Sequence, residues 1–470
     1  MPELLPIRHR GPRSLAAGPA PSFSPGPPDG LEDLKTFHIE TWGCQMNEHD
    51  SEKMAGALHA MGLTPASGAA EADVVLLNTC SVREKAAHKV FTRLGQLRLH
   101  KLARPHMVLG VCGCVAQQEQ RRIFRRAPYV DLVMGPRRIS SLPELIKASR
   151  ARRHVLGALD PRDALAPEDE AVRRVSRTRA YVTVMEGCNK TCTFCIVPFT
   201  RGREAYRAPA SILREARECI DQGLPEIQLL GQNVNAWRYR GEGPADFAGL
   251  LGATAMLPGL KRLRFTTSHP LHFRDPIIDA MAAHPVICPH LHLPVQSGSD
   301  TVLARMRRGY TRADYLGRVA RLREKVPGVA LSTDIIVGFP GETEEDFRLT
   351  LDLVREVRYD SLYSFVYSPR PGTPATELPD DVPAAGKMER LHRVQELQAV
   401  IQAEQLRTWV GREVEVLVDG PSARGGQAAG RTGRNHLVNL EAGPEAVGRF
   451  LNVRITSAGP NSLCGAPVAP

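Results

Sequence analysis

The chain has 470 residues, which is too long for a single hydrophobic core. Hydrophobic residues make up 42% of the chain and charged residues 24%, as in an ordinary globular protein. Apolar runs such as residues 74–77 are far too short to cross a bilayer, and no secretory segment follows the start. We therefore expect a cytoplasmic protein with no membrane partner. The net charge of +10 favours an anionic partner, with Lys and Arg concentrated in residues 121–153 and 305–325, although a solvated surface explains the same charge equally well.

Residues 1–34 are rich in Pro and Gly and predict a disordered tail. A transit peptide is the weaker alternative, because the prolines oppose an amphipathic helix. From 35 to 150, short apolar runs alternate with helical patterns, which predicts βαβ units and a parallel sheet. The predicted strands are 37–40, 73–77, 107–111 and 130–134, and the predicted helices run through 53–58, 83–99 and 117–126.

Residues 151–176 mix charge with Pro and predict a linker. Six further strand–helix units over 177–406 predict a (β/α)6 partial barrel, although an open doubly wound sheet satisfies the same pattern. The predicted strands are 181–186, 226–230, 263–267, 290–293, 330–337 and 362–367. After a long helix, 407–470 is rich in Gly and predicts a small all-β barrel, with Arg424, Arg431 and Arg434 on its loops. The predicted fold class is α/β.

The strongest chemical motif is GCNKTCTFC at residues 187–195, which places Cys188, Cys192 and Cys195 just after the first strand of the second domain. A cubane iron–sulfur cluster normally has four thiolate ligands, so three close cysteines leave one iron open. An open iron can chelate the amino and carboxylate groups of a bound molecule. A zinc site usually needs a fourth Cys or His at close spacing, and spare thiols would not crowd into one loop. The motif therefore predicts a [4Fe-4S] cluster.

This motif resembles that of the radical S-adenosylmethionine superfamily. The resemblance implies that the cluster binds and cleaves S-adenosylmethionine, and that Phe194 lies near the adenine. A core position explains Phe194 equally well. No catalytic residue is predicted beyond the clusters.

A second trio of cysteines, Cys44, Cys80 and Cys114, follows three predicted strands of the first domain. Loops after parallel strands open on the same edge of a sheet, so these thiols can converge. Single buried thiols are common, however. Cys112 lies two residues before Cys114, and the residues alone do not choose between them.

The whole set resembles the MiaB-type tRNA methylthiotransferases over about residues 36–468. The resemblance rests on TWGCQMNE at 41–48, LGQNVN at 230–235 and YSFVYS at 363–368. It implies an N-terminal α/β domain whose auxiliary [4Fe-4S] cluster is held by Cys44, Cys80 and Cys114, a radical barrel and a C-terminal TRAM module. The family's Gly-Cys-x-Ala-Gln pattern selects Cys114 over Cys112.

The resemblance also implies the reaction: methylthiolation of C2 of N6-isopentenyladenosine, the nucleotide 3′ to the anticodon at position 37. S-adenosylmethionine would be both methyl and radical source. The expected partners are the anticodon stem-loop of tRNA and an electron donor such as flavodoxin or ferredoxin, and we expect a monomer. Cys464 departs from the family, which often has a basic residue there.

Three stretches are expected to line the S-adenosylmethionine site, although turn chemistry explains two of them equally well. The candidate contacts are Ser268, Gln296, Ser297, Asp334, Gly338 and Pro340. His290 and His292 share a strand face and, without a nearby carboxylate, are interpreted as packed or hydrogen-bonded histidines rather than ligands. The remaining cysteines, Cys219, Cys288 and Cys464, are interpreted as structural.

Two other functions fit parts of the pattern. The first is methylthiolation of a ribosomal-protein aspartate by a related enzyme. The second is a non-catalytic RNA-binding protein with structural zinc.

Overall fold

A computed structural model describes residues 30–81, 84–157, 172–422 and 425–468, with the side chains of 84–88 left out. Arg424 and residues 1–29 of the predicted tail lie outside this range. No helix in the described part of the chain is long and apolar enough to span a membrane. The chain divides into two compact units, Met1–Val175 with Val197–Arg203, and Ser176–Ile196 with Glu204–Pro470.

The first unit is built on a parallel sheet of six strands, flanked by helices. The strands are β1 (Thr36–Trp42), β2 (Thr64–Pro65), β3 (Val74–Thr79), β4 (Val108–Gly113), β5 (Leu132–Met134) and β6 (Val155–Gly157). The helices are α1 (Gln45–Ala60), α2 (Glu84–Ala103), α3 (Cys114–Glu119), α4 (Arg121–Arg126), α5 (Leu142–Ala151) and α6 (Val197–Arg201). The strand order β2-β1-β3-β4-β5-β6 confirms the predicted parallel α/β sheet.

The sheet is buried on both faces. Val74 and Leu76 of β3 pack into one hydrophobic cluster, while Val75 and Leu77 pack into another, as the alternation of strand side chains requires. All four predicted strands are present, whereas β6 lies within residues for which only a linker was predicted. Leu31 and Leu34, assigned to the tail from sequence, are 0% and 3% exposed and pack in the first cluster.

The second unit begins with two three-stranded parallel sheets. Its strands up to residue 366 are β7 (Arg179–Thr183), β8 (Met185–Glu186), β9 (Ala205–Tyr206), β10 (Glu226–Leu230), β11 (Arg262–Thr266), β12 (His290–His292), β13 (Ala330–Val337) and β14 (Ser361–Val366). Sheets β7-β10-β11 and β12-β13-β14 are joined by a parallel bridge between Leu263 and Ile287. The strands follow chain order without reversal. A partial barrel has this order, and an open doubly wound sheet does not.

Helices cover the outer face of this partial barrel. They are α7 (Pro209–Asp221), α8 (Phe247–Ala255), α9 (Asp275–Ala283), α10 (Asp300–Arg305), α11 (Arg312–Lys325), α12 (Glu344–Val357) and α13 (Ala384–Arg407). In α12 the Thr343 hydroxyl accepts a bond from the backbone N–H of Asp346 at 3.1 Å, while the Asp346 carboxylate accepts one from Thr343 N–H at 3.0 Å. This capping box fixes the start of the helix.

The C-terminal part of the second unit is a closed five-stranded barrel, which confirms the predicted small all-β module. Its strands are β15 (Glu413–Pro421), β16 (Ala428–Thr432), β17 (Leu437–Leu440), β18 (Phe450–Ala458) and β19 (Leu463–Pro467), in the order β15-β16-β17-β19-β18. Two arginines of β11 attach it to the partial barrel. Arg262 donates to the carbonyl of Arg431 at 2.7 Å, and Arg264 donates to the carbonyl of Thr432 at 2.8 Å.

Candidate functional site: two cysteine trios

The first trio lies at one edge of the N-terminal sheet. β1, β3 and β4 are neighbouring parallel strands, and Cys44, Cys80 and Cys114 follow their carboxyl ends by one or two residues. The Cys80 thiol is hydrogen-bonded to Cys44, and Cys114 is close enough for its charge to interact with that of Cys44. The structure therefore brings together three thiols that are distant in sequence.

The electrostatic setting differs between the neighbouring cysteines. The hydrogen bond with Cys80 lowers the pKa of Cys44 to about 6, and the positive charge of Arg201 acts in the same direction. Burial raises the pKa of Cys114, but the charge of Arg201 and a hydrogen bond from its guanidinium oppose that rise. For Cys112, burial alone raises the pKa well above its usual value. Because the thiolate is the ligand form, this setting favours Cys114 over Cys112.

Arg201, which was not among the predicted site residues, lies beside the first trio. It ends α6, only six residues after Cys195, yet its guanidinium forms an ion pair with Asp50 of α1 at 2.5 Å. The two side chains are 3% and 1% exposed. Arg137 holds the α6 segment by donating to the carbonyls of Arg201 and Arg203 at 3.3 and 3.2 Å.

The second trio lies in the loop that follows β8. Gly187, with φ of +78°, turns the chain into the loop, and its N–H donates to the Gln232 side chain at 2.5 Å. Thr193 anchors the loop: its N–H donates to the carbonyl of Met306 at 3.1 Å, and its hydroxyl donates to the carbonyl of Arg305 at 3.0 Å. The loop is therefore attached to the barrel at both ends.

Within this loop, Cys192 is buried, and Cys188 and Cys195 are half-buried. Burial raises the pKa of Cys188 to about 11. In the part of the chain that the structure describes, no three His, Cys, Asp or Glu side chains have the arrangement needed to hold a single metal ion. A cubane makes a different demand, because each of its thiolate ligands binds a separate iron.

The predicted S-adenosylmethionine contacts lie in the loops after β11, β12 and β13, except for Asp334, which lies within β13, and Phe194, which lies in the loop after β8. Gln296 has φ of +77° and bridges to β13, donating to the Asp334 carbonyl at 2.9 Å. The Ser297 hydroxyl lies 3.3 Å from that of Thr350, so it is already engaged in a buried turn. Phe194 packs beside the apolar cluster that includes Phe339.

Of the other predicted contacts, only Ser268 has a buried polar atom without a partner in the described part of the chain. Gly338, with φ of +68°, has no room for a side chain, because a Cβ there would lie 2.3 Å from the Lys387 side chain. Pro340 is buried in the turn after β13. The Ser268 hydroxyl is buried and, among the described residues, has no hydrogen-bond partner.

The interpretation of His292 needs correction. The sequence predicts a packed or hydrogen-bonded histidine with no carboxylate nearby, but its Nε2 lies 3.6 Å from Oδ2 of Asp334. Its Nδ1 lies 3.0 Å from the Ser332 hydroxyl. The residues share one face of the adjacent strands β12 and β13, and the register that places His292 beside Ser332 was not predictable from the sequence. His290 is half-buried, and its partial burial lowers its pKa well below the usual value.

The loops after β10 and β11 hold further polar groups beside Ser268. Asn235 joins these loops, because its side chain accepts from the His269 N–H at 2.9 Å and donates to the His269 carbonyl at 3.0 Å. Both polar side-chain atoms of Asn233, and Nε2 of His269, are buried without a partner in the described structure. Buried polar groups are normally satisfied, so these loops suit a ligand that has both donors and acceptors. Burial lowers the pKa of His269 to about 2, which keeps its imidazole neutral.

Three family models match the chain in sequence. They are Uncharacterized protein family UPF0004 over residues 36–135, the Radical SAM superfamily over 182–354 and the TRAM domain over 407–468. The fold is similar to that of radical S-adenosylmethionine methyltransferase TsrM from Kitasatospora setae. That likeness has a TM-score of 0.54 at 14% identity and covers 78% of this chain and 89% of that chain.

Relatives with the same printed name match nearly the whole chain. The tRNA-2-methylthio-N(6)-dimethylallyladenosine synthase of Geotalea uraniireducens (strain Rf4) is 47% identical over 92% of this chain and 98% of the relative. The synthase of Solibacter usitatus (strain Ellin6076) is 48% identical over 94% of this chain and 99% of the relative. These matches confirm the predicted family. The chain belongs to the tRNA-2-methylthio-N(6)-dimethylallyladenosine synthases.

Proposed function

We propose that the protein transfers a methylthio group to C2 of N6-isopentenyladenosine at position 37 of tRNA, 3′ to the anticodon. The observation that carries this proposal is the 47–48% identity, over more than nine-tenths of the chain, to relatives named for that activity. The ribosomal-protein aspartate and the structural zinc protein are not favoured by these relatives.

The match to the Radical SAM superfamily supports an iron–sulfur cluster and S-adenosylmethionine as cofactors. We propose two [4Fe-4S] clusters, one held by Cys188, Cys192 and Cys195 and the other by Cys44, Cys80 and Cys114. S-adenosylmethionine bound at the cluster of Cys188, Cys192 and Cys195 would supply the radical that opens an unreactive ring C–H position to substitution. The protein's own residues have the tasks of holding the clusters, orienting the cofactor and keeping water away.

We assign the orienting task to the loops after β10, β11 and β13. Asn233 and Ser268 offer buried polar atoms, and Asp334, within β13, offers a carboxylate. Gly338 and Pro340 shape the turn after β13, where the Lys387 side chain fills the space beside Gly338. Neutral His269 can accept or donate a hydrogen bond without adding charge. Phe194, Gln296 and Ser297 support the same region through packing and turn contacts.

We assign recognition of tRNA to the TRAM domain and to the Lys- and Arg-rich segments 121–153 and 305–325. Trp409 is half-buried, and the guanidinium groups of Arg434 and Arg412 lie 4.8 and 5.3 Å from its ring centre. An aromatic ring flanked by cations is a surface on which a nucleic-acid base and its phosphate can bind. Extracting a base from a loop costs less than extracting one from a duplex, which suits the anticodon loop as substrate. We further propose a monomer that receives electrons from flavodoxin or ferredoxin.

The test is an anaerobic assay on two synthetic anticodon stem-loops, one isopentenylated at position 37 and one with plain adenosine there. Mass spectrometry of the digested RNA should find 2-methylthio product from the first substrate. Cys188→Ala should abolish that product, whereas Cys219→Ala, a buried thiol on α7, should retain it. Product from neither RNA, with a modified ribosomal-protein aspartate instead, would overturn the proposal.

A further inference from the structure

A buried arginine contacts one thiol of the second trio. Nη1 of Arg308 donates to the sulfur of Cys192 at 3.3 Å. Arg308 is 6% exposed and Cys192 is 7% exposed, so water cannot compete strongly for this bond. No local pattern predicts this contact, because the two residues are 116 positions apart in sequence.

The guanidinium is held rigidly on its other sides. Nε of Arg308 donates to the Tyr310 hydroxyl at 3.1 Å, and Nη2 donates to the carbonyl of Pro294 at 2.9 Å. The Tyr310 hydroxyl in turn donates to the carbonyl of Val295 at 2.7 Å. Since Nε, Nη1 and Nη2 each have a hydrogen-bond partner, the orientation of Nη1 toward the Cys192 sulfur is fixed before any cofactor binds.

The same short segment also supports the backbone of the cysteine loop. The carbonyls of Arg305 and Met306 accept the two Thr193 bonds already described, and Thr193 follows Cys192 directly. Residues 305–310 therefore control both where Cys192 lies and how much positive charge its sulfur meets.

We propose that Arg308 is a positioning residue for the cluster at Cys188, Cys192 and Cys195, and that it makes this cluster easier to reduce. The inference rests on the proposed function, which places a cluster there. A reduced cluster carries one more negative charge than an oxidised one, so a buried cation on a ligand sulfur stabilises the reduced form more strongly. Only one electron moves, from the external reductant to the cluster, and no bond is made or broken.

The experiment isolates this cluster in a full-length background carrying Cys44→Ala, Cys80→Ala and Cys114→Ala. Arg308→Gln is compared with Arg307→Gln, an exposed neighbour of the same type. Iron content and the midpoint potential, from a dithionite titration followed by electron paramagnetic resonance, are measured before S-adenosylmethionine is added. Arg308→Gln should shift the potential to a more negative value and slow reductive cleavage of S-adenosylmethionine about tenfold, within the range usual for partners of metal ligands. Arg307→Gln should change neither.

Arg308→Lys keeps the charge and should recover part of the shift. If Arg308→Gln holds no iron, Tyr310→Phe decides, because it removes the bond at Nε and should shift the potential in the same direction by a smaller amount. If Arg308→Gln holds iron, an unchanged midpoint potential in that variant would overturn the inference. If it holds no iron, an unchanged midpoint potential in Tyr310→Phe would overturn it. If the background protein binds no iron, the proposed cluster at Cys188, Cys192 and Cys195 is wrong. This outcome is distinct from failure of the inference about Arg308.

Discussion

Oδ2 of Asp50 and Nη2 of Arg201 lie 2.5 Å apart in the N-terminal unit, with 1% and 3% of their side chains exposed. The two residues are 151 positions apart in sequence, so this pair fastens α6 to α1 beside the first cysteine trio. Removing one partner of a buried pair leaves an uncompensated charge, which costs far more than the pair itself contributes.

Asp50→Asn should therefore lower the free energy of unfolding by about 3–5 kcal/mol. Urea unfolding of the metal-free protein measures this loss. Asp33→Asn is the control, because the Asp33–Arg150 pair has the same 2.5 Å distance but side chains that are 48% and 31% exposed. It should change the free energy by less than about 1 kcal/mol. Equal losses in the two variants would contradict the special role of the buried pair.

Glu52 gives the stability a dependence on pH. Burial raises its pKa to about 7, although Arg174 at 3.4 Å and the N–H of Val175 at 3.3 Å oppose that rise. The folded protein therefore binds a proton between about pH 4.5 and 7 that the unfolded chain releases. By linkage, this term makes stability fall as pH rises through that window, by up to about 1.4 kcal/mol for each unit of pKa difference, and level off above it.

Glu52→Gln removes the titrating group. The melting temperature of the variant relative to wild type should increase between pH 5 and pH 8. Glu144→Gln, at an exposed position in the first turn of α5, is the control and should stay parallel to wild type. A difference between Glu52→Gln and wild type that is the same at both pH values would show that Glu52 titrates normally.

Gly298 is required by close packing rather than by its backbone angle. A Cβ at this position would lie 2.5 Å from the Leu349 carbonyl oxygen and 2.6 Å from Cα of Thr350, both backbone atoms of α12. Gly298→Ala should lower the free energy of unfolding by about 1–3 kcal/mol. Gly317→Ala in α11, where a Cβ meets nothing within 4 Å, should instead raise it by up to about 1 kcal/mol. Chemical denaturation that finds the same sign for both would refute this packing argument.

Cys112 and Cys114 should behave differently in iron binding. Cys114 receives a hydrogen bond from Arg201, whereas burial alone acts on Cys112. Cys114→Ala should remove the iron of the auxiliary site, about half of the total, while Cys112→Ala should keep the full content. Loss of iron in Cys112→Ala, with a melting temperature equal to that of wild type, would mean that the wrong thiol was chosen.

Regular patterning made most of the fold predictable. β13 and β14 coincide with the apolar segments from which strands were predicted. α12 begins after the capping residue Thr343, with Asp346 three residues later. Both kinds of element are therefore specified by local sequence. β6 was missed because three residues in a charged stretch carry no periodicity. The short strands β16, β17 and β19 were anticipated only as a class, since Gly-rich segments do not define their own ends.

The site was predictable only where its residues lie close in sequence or follow strand ends. Cys188, Cys192 and Cys195 form a local motif, whereas Cys44, Cys80 and Cys114 depended on the rule that parallel strands end at one edge. The contacts of Arg201 and Arg308 join residues more than 100 positions apart, and no local pattern specifies such pairs. Packing in three dimensions places these arginines beside the thiols.

The central claim is that two separate cysteine trios each hold a [4Fe-4S] cluster. Its most direct test is the iron and sulfide content of the anaerobically reconstituted protein. We expect about eight irons per chain for wild type, and about four for either triple variant, Cys44/Cys80/Cys114→Ala or Cys188/Cys192/Cys195→Ala. About four irons in wild type, or a full complement in either variant, would contradict the account.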